Sequence, residues 1–450
     1  MTTPTPAATA HRDTAGWYGH PRGLSTLFFT EMWERFAYYG MRALLILYMT
    51  AAAVNGGLGF NTEHAAAIYG WYTFSVYALA IPGGWIADRF LGQYRSVLVG
   101  GIIIALGQFS LALAPLPFFY GGLILIAVGT GLLKPNVSTM VGSLYEEQDN
   151  RRDAGFSIFY MGINVGAMIS PLVAGTLGQR VSWHLGFAVG GVGMTAGVIQ
   201  YILGKRRLMP ALERLAARKP EPASAKVSLA GGFSAEEWKR IAAIGVFFVF
   251  SMLFWAAFEQ AGSSLNLFAD RYTRLSVFGF SFPSTWFQSL NSFFMVFGLA
   301  LFFSWLWLRL GRHEPSSPAK FAYGLLFVGL GFLLLVPGSI LAQAGGKTTL
   351  VSPMWLTGVY LLHTIGELCL SPVGLSLMTK LAPPRIVGLM MGVWFLSTAT
   401  GNKMGGWVAG FFDTLPLPML FAAVAGTTIG SAVVLVLLIR PLRRLMGGVH

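Results

Sequence analysis

Residues 31–42 read Glu31-Met32-Trp33-Glu34-Arg35-Phe36-Ala37-Tyr38-Tyr39-Gly40-Met41-Arg42, between Leu27-Phe28-Phe29 and Leu44-Leu45-Ile46-Leu47. An apolar helix of about 25 residues is long enough to span a bilayer. This one places two carboxylates and two guanidiniums at a depth where an unpaired charge costs about 3 kcal/mol or more. On a helix, Glu31, Arg35, Tyr38 and Arg42 follow one another at steps of four, three and four, so they share a face. Glu34 lies beside them. One polar stripe on an apolar helix points to a water-filled path through protein, not to lipid.

The rest of the chain agrees with a membrane setting. Hydrophobic residues make up 54% and charged residues 11%, against about a quarter charged in soluble domains. The composition describes an all-α polytopic membrane protein without a soluble domain of useful size. A net charge of +13 raises the question of nucleic acid. The basic residues form no patch with interleaved aromatics, so no nucleic-acid partner is expected. The single cysteine, Cys369, excludes an intrachain disulfide. Residues 1–22 are polar, and the first apolar segment is too long and too charged for a cleavable signal peptide.

Apolar runs bounded by charge or Gly/Pro place spans at 24–49, 66–87, 96–115, 118–141, 156–178 and 184–204, then at 239–262, 284–308, 319–343, 353–377, 387–411 and 417–439. Lys and Arg sort unequally between the two sets of loops. Twenty-three lie on the side of the termini, and only Arg180, Arg271, Arg274 and Lys347 lie on the other. The positive-inside rule makes both termini cytoplasmic. The segment 205–238 is charged and rich in Ala and Pro, too polar to cross, with a short surface helix expected around 210–218. The domain plan is therefore a bundle of six helices over 1–204, a cytoplasmic linker at 205–238 and a second six-helix bundle over 239–450. Two halves of six spans match the parallel-repeat plan of the major facilitator superfamily fold.

Eight charges fall within the spans: Glu31, Glu34, Glu259 and Glu367 against Arg35, Arg42, Lys134 and Lys403. Four acids balance four bases, as neutral pairing inside a membrane requires. One such pair can be plain helix–helix glue. Eight charges spread over five spans are harder to explain that way, because packed apolar side chains hold a bundle at lower cost. His363 is the one histidine at depth and reads first as a packing residue, second as a proton carrier. Lys403 lies near enough to a span end to snorkel outward. A carboxylate in a part-dry cavity keeps its charge while a cation stands beside it and takes up a proton when that cation leaves. Alternating pairs of this kind couple protons to motion, driven by about 2.3 kcal/mol per charge for each 100 mV of membrane potential.

With these residues in view, a resemblance can be stated. Glu31-x-x-Glu34-Arg35-Phe36-x-Tyr38-Tyr39-Gly40 resembles the E-x-x-E-R-F-x-Y-Y-G signature of the proton-coupled oligopeptide transporter family. Phe159-Tyr160-x-x-Ile163-Asn164-x-Gly166 resembles its second signature, and Gly84-Trp85-Ile86-Ala87-Asp88-Arg89 the general major-facilitator loop motif. The stretches 254–264 and 366–375 are similar to its seventh and tenth spans. Asn291 departs from the pattern in lacking a following proline, and Lys403 is an unusual charge for its span.

The resemblance implies roles. Glu31, Glu34, Arg35 and Glu259 would couple protons. Arg42 would pair with Glu259 and Lys134 with Glu367, each pair closing one gate. A peptide carboxylate would meet Arg42 and Lys134, its amino group Glu367, and Tyr38, Tyr39, Tyr77, Asn164, Asn291, Trp255 and Trp394 would line the pocket. The function implied is proton-coupled symport of di- and tripeptides by alternating access, in a monomer in a bacterial cytoplasmic membrane. Protons are the coupling ion, with no cofactor or metal. Two rivals stand beside it: transport of nitrate or another small organic anion on the same fold, and an intramembrane enzyme, for which no metal-site spacing is present and no serine or cysteine has a plausible base partner beyond Cys369 near His363. No enzymatic activity is expected.

Overall fold

The computed structural model describes residues 16–146, 148–217, 233–344, 349–383 and 386–447. Linker positions 218–232, together with Arg12, Lys347 and Arg385, lie outside them. Helix occupies every stretch expected to span. The first half runs α1 (Gly23–Thr50), α2 (Thr62–Ala78), α3 (Ala80–Ile86), α4 (Gln93–Leu111), α5 (Leu116–Ser143), α6 (Arg152–Arg180) and α7 (Trp183–Leu203). The linker helix α8 (Lys205–Ala217) begins five residues before the expected start. The second half runs α9 (Ala235–Phe258), α10 (Ser264–Tyr272), α11 (Ser289–Phe294), α12 (Ala300–Leu310), α13 (Ser317–Ala342), α14 (Met354–Leu381), α15 (Val387–Ala409) and α16 (Leu417–Leu445). A two-stranded antiparallel hairpin, β1 (Ser276–Val277) and β2 (Phe280–Ser281), joins α10 to the turn before α11.

Among the described residues, nine helical stretches are long and apolar enough to cross a bilayer. The first span, the broken second span and α15 fall outside that set; α1 carries its four charges in the middle. The second span breaks at Leu79 because Pro82 has no N–H to return to the carbonyl of Ala78. The seventh span continues past its expected end at residue 262, through a tight turn at Glu259–Gly262 into α10. The eighth span is interrupted by a π-helical stretch, Met295–Leu299, in which Gly298 takes φ +155, a conformation open to glycine. Start signals are local. Asn61 accepts a hydrogen bond from the His64 N–H at 2.8 Å to open α2. Ser234 and Glu237 form a reciprocal capping box that opens α9.

In the first half α1 packs against α6 and α7, and α4 against α5 and α7; in the second α13 packs against α14 and α16, and α9 against α15. Between them α2 lies along α15, and α6 along α11. Thr62 donates to Asp413 where α2 begins and α15 has just ended, while at the opposite end Gly392 of α15 faces Ile81. Gly447, just past α16, lies beside Arg240 near the start of α9. Both termini of the helical core therefore share one end of the molecule.

At the far end the two sets of helices are bonded together. Asn266 donates to the Ala43 carbonyl at 2.8 Å. Gln179 donates to Ser284 at 2.7 Å, Trp286 donates to Thr176 at 2.9 Å, and Arg180 donates to the Ser281 carbonyl. Asp413 also accepts from Arg271 at 2.9 Å.

Candidate functional site

The charged stripe of α1 is buried as a unit: Glu31, Glu34, Arg35 and Arg42 are each at most 5% exposed. Burial of four charges is tolerable only if they pair, and they do. Arg35 Nη2 donates to Glu34 Oε1 at 2.6 Å, its Nε reaches the other Glu34 oxygen, and the same Nε stands 3.4 Å from Glu31 Oε1. The guanidinium also lies 4.9 Å from the ring centre of Tyr38, a cation–π distance. Two carboxylates thus share one guanidinium.

About two turns on, Arg42 makes a second junction. Its Nε donates to the Tyr69 hydroxyl at 2.7 Å, and its Nη2 lies 2.9 Å from Glu259 Oε2. The glycine at 262 permits this approach: a Cβ there would fall 1.9 Å from the Tyr69 oxygen and 2.8 Å from Arg42 Nε. The expected bridge from span 1 to span 7 is formed.

The expected Lys134–Glu367 bridge is not. Lys134 Nζ lies 4.3 Å from the ring centre of Tyr77 on its own side of the cavity. Glu367 accepts from Asn291 Nδ2 at 2.9 Å, and the same amide reaches Thr364 Oγ1 at 3.1 Å. Among the described residues no ion pair joins the two charges. Lys134 stands on α5 and Glu367 on α14, and both line one cavity without meeting.

These groups surround a central cavity of about 230 Å³. Glu31, Arg35, Tyr39 and Arg42 enter from α1, Tyr77 from α2, Lys134 from α5, Asn164 from α6, Trp255 and Glu259 from the seventh span, Asn291 from α11 and Glu367 from α14. Three expected residues do not reach it. Glu34 is turned onto Arg35. Tyr38 is 3% exposed and stacks on Tyr72. Trp394 is 6% exposed and lies against Phe321 and Gly374 within the second bundle of helices. Asn164 spends its amide on the Tyr160 carbonyl of its own helix at 3.0 Å.

Sequence reasoning missed Tyr69, Tyr160 and Tyr360, the last two also on the cavity wall. Tyr160 stands inside the quoted 159–166 signature, so a signal for it was present. Tyr69 and Tyr360 had none, because a tyrosine in an apolar run looks the same whether it faces lipid or an arginine. His363 reaches the wall but packs between Phe332 and Phe258, at ring-centre distances of 5.0 and 6.1 Å. Lys403 does not join the central site. Its Nζ lies 3.6 Å from the ring centre of Trp71, across the α2–α15 contact near the far end. Among the described residues no cluster of three or more His, Cys, Asp or Glu side chains could hold a metal.

The arrangement can do two things. It can hold a small molecule with a negative end near Arg42 and Lys134 and a positive end near Glu367, between aromatic walls. It can also release one member of an ion pair when the other takes up a proton.

Comparison with known proteins points the same way. The POT family profile matches residues 94–212 and 221–423. The chain is 42% identical to YclF of Bacillus subtilis (strain 168), described as an uncharacterized transporter, over 96% of each chain. It is 40% identical to the peptide transporter YePEPT of Yersinia enterocolitica, again over 96% of each. A crystal structure of a mutant peptide transporter POT in complex with alafosfalin superposes with a TM-score of 0.86 at 39% identity, covering 97% of this chain and 98% of that one. The fold shared with these transporters is the major facilitator fold expected from the spans. On profile, sequence and superposition alike, the chain belongs to the POT family.

Proposed function

We propose that this chain is a multi-pass membrane transporter that carries di- and tripeptides together with protons by alternating access. The observation that carries the reading is the Arg42–Glu259 pair, 2.9 Å apart on the wall of a cavity where a further acid, Glu367, accepts from the neutral Asn291 amide. A zwitterion of variable side chain needs cations at one end, an anion at the other and an adaptable aromatic wall between. The cavity supplies all three. The relatives named for peptides and the alafosfalin complex support peptides over a simple anion. Glu367 also disfavours nitrate, which it would repel.

The coupling runs through α1. Protonation of Glu259 releases Arg42, which then meets the peptide carboxylate with Lys134; Glu367 takes the peptide amino group. Glu31, Glu34 and Arg35 form the second proton-handling cluster, sharing one guanidinium between two acids. The moving units are residues 1–204 and 239–450, joined by the linker at 205–238. The monomer suffices, because every group named comes from one chain. Its place is a bacterial cytoplasmic membrane with both termini inside, as the excess of Lys and Arg on their side requires. The far end, sealed by the bonds from α6 and α10, then faces outward, and the structure is closed to the outside.

The test is uptake of labelled di-alanine into proteoliposomes under an inward-directed proton gradient. Accumulation that collapses with an uncoupler is the expected result. Absence of uptake, or indifference to the uncoupler, removes the central claim.

A further inference from the structure

A second and larger cavity, of about 800 Å³, lies at the end of the molecule that carries the termini. It is bounded by α12, the first turn of α13 and the last turns of α14 and α16. The backbone leaves helical geometry at Phe297 and Gly298, just before α12. Phe303 and Trp307 reach back from α12 to Leu368 and Cys369, closing an apolar cluster separate from the main core.

The walls divide by polarity. Phe303, Leu368, Val373 and Leu377 form an apolar side. The rim carries Lys380 and Arg443, Lys320 lies deeper, and among the described lining residues Glu314 is the one acid. Lys320 is only 8% exposed; its ammonium pairs with Glu314 and lies 4.5 Å from the Trp307 ring centre. The N-terminus of the 26-residue helix α13 opens into the same space at Ser316 and Ser317, and Ser316 makes no side-chain cap. A helix N-terminus beside a buried ammonium and two further bases attracts phosphate. An apolar wall at the membrane end calls for a ligand with a hydrocarbon part.

We propose that this cavity seats an anionic phospholipid, its phosphate at the α13 N-terminus among Lys320, Lys380 and Arg443 and its upper acyl carbons along the apolar wall. The leaflet fits the chemistry, since basic pockets between helices at a membrane's cytoplasmic face select anionic headgroups. The site also touches the transport path. Glu367 and Ser371 line the central cavity, whereas their neighbours Leu368 and Pro372 line this one. A seated lipid braces α14 at its internal proline.

Trp307 makes the proposal measurable in the full-length chain in lipid nanodiscs. Its fluorescence is isolated as the difference between the native chain and Trp307→Phe, the other tryptophans cancelling. Brominated phosphatidylglycerol is expected to quench that difference about twofold or more beyond brominated phosphatidylcholine at equal mole fraction, and less so as salt rises. The double variant Lys380→Gln with Arg443→Gln, both on the rim, is expected to level the two lipids. Equal quenching of the Trp307 difference signal by the two lipids overturns the proposal without Lys380 or Arg443 having to be replaced. Reversal of the phosphatidylglycerol signal by millimolar inorganic phosphate also overturns it, since a free anion is then the occupant.

Discussion

Arg42 and Glu259 stand 2.9 Å apart yet are not aligned as a hydrogen bond, while the same guanidinium donates a well-formed bond to Tyr69. The pair is held by charge and can be released without unmaking the arginine's other anchor. A buried pair broken on one side leaves the remaining charge uncompensated, typically at about 3–5 kcal/mol.

Glu259→Gln removes the proton site while keeping shape. Proton-driven accumulation of di-alanine is expected to fall at least about tenfold, the scale of a single lost charge-assisted contact. Counterflow of peptide on both sides of the membrane should persist. Unchanged concentrative uptake would take Glu259 out of the mechanism.

Gly262→Ala puts a methyl group against the Tyr69 hydroxyl and Arg42. Transport should drop sharply, because the junction must spread to admit it. Tyr69→Phe removes the oxygen nearest the new methyl, so the double variant should recover part of the loss. A double variant no better than Gly262→Ala alone would show that the clash lies elsewhere.

Glu367 and Asn291 make a test of the peptide amino group. Glu367→Gln should raise the half-saturating concentration of di-alanine by about tenfold or more, the cost of one charge-assisted contact. An N-acetylated dipeptide, which lacks the cation, should compete no worse than before. Parallel loss for both ligands would place the amino group elsewhere.

A pH effect is expected at the terminal end, outside the spans. His20 Nδ1 and the Tyr145 hydroxyl are 2.9 Å apart. Burial, and then the Arg151 cation, push His20 below its ordinary value, against a smaller opposite pull from Asp149. Asp149 is itself held at about 2 by its hydrogen bonds from Arg151. A histidine lowered in the folded state resists protonation that the unfolded chain accepts, so its contribution is present above about pH 6.5 and lost as pH falls below it. Amide exchange at Trp17 and His20, bonded to each other's carbonyls, should therefore lose protection between pH 7.5 and 5.5 once intrinsic rates are removed. His20→Gln should flatten that dependence; equal pH dependence in both chains would contradict it.

Much of this was legible from residues alone. Spans follow from apolar runs, and the need of buried charges for partners called for pairing; that Arg42 pairs with Glu259 was what the resemblance implied. What escaped depends on through-space neighbours. The seventh span runs on through α10 because a glycine turn, not charge, marks its middle. Trp394 stands on the expected helix but is rotated into the packing with Phe321. Tyr69 matters through a contact 27 positions away in sequence, which no local pattern carries. Lys403 was visible as a charge, but only the close approach of α2 and α15 shows that it lies on Trp71.

The far-end seal is built from many small bonds on different helices, several of them to main-chain carbonyls or neutral side chains. Each exposed member is worth about 1 kcal/mol or less. Such a closure frays instead of unlatching: it can yield bond by bond, and no single substitution along it holds the door shut or throws it open.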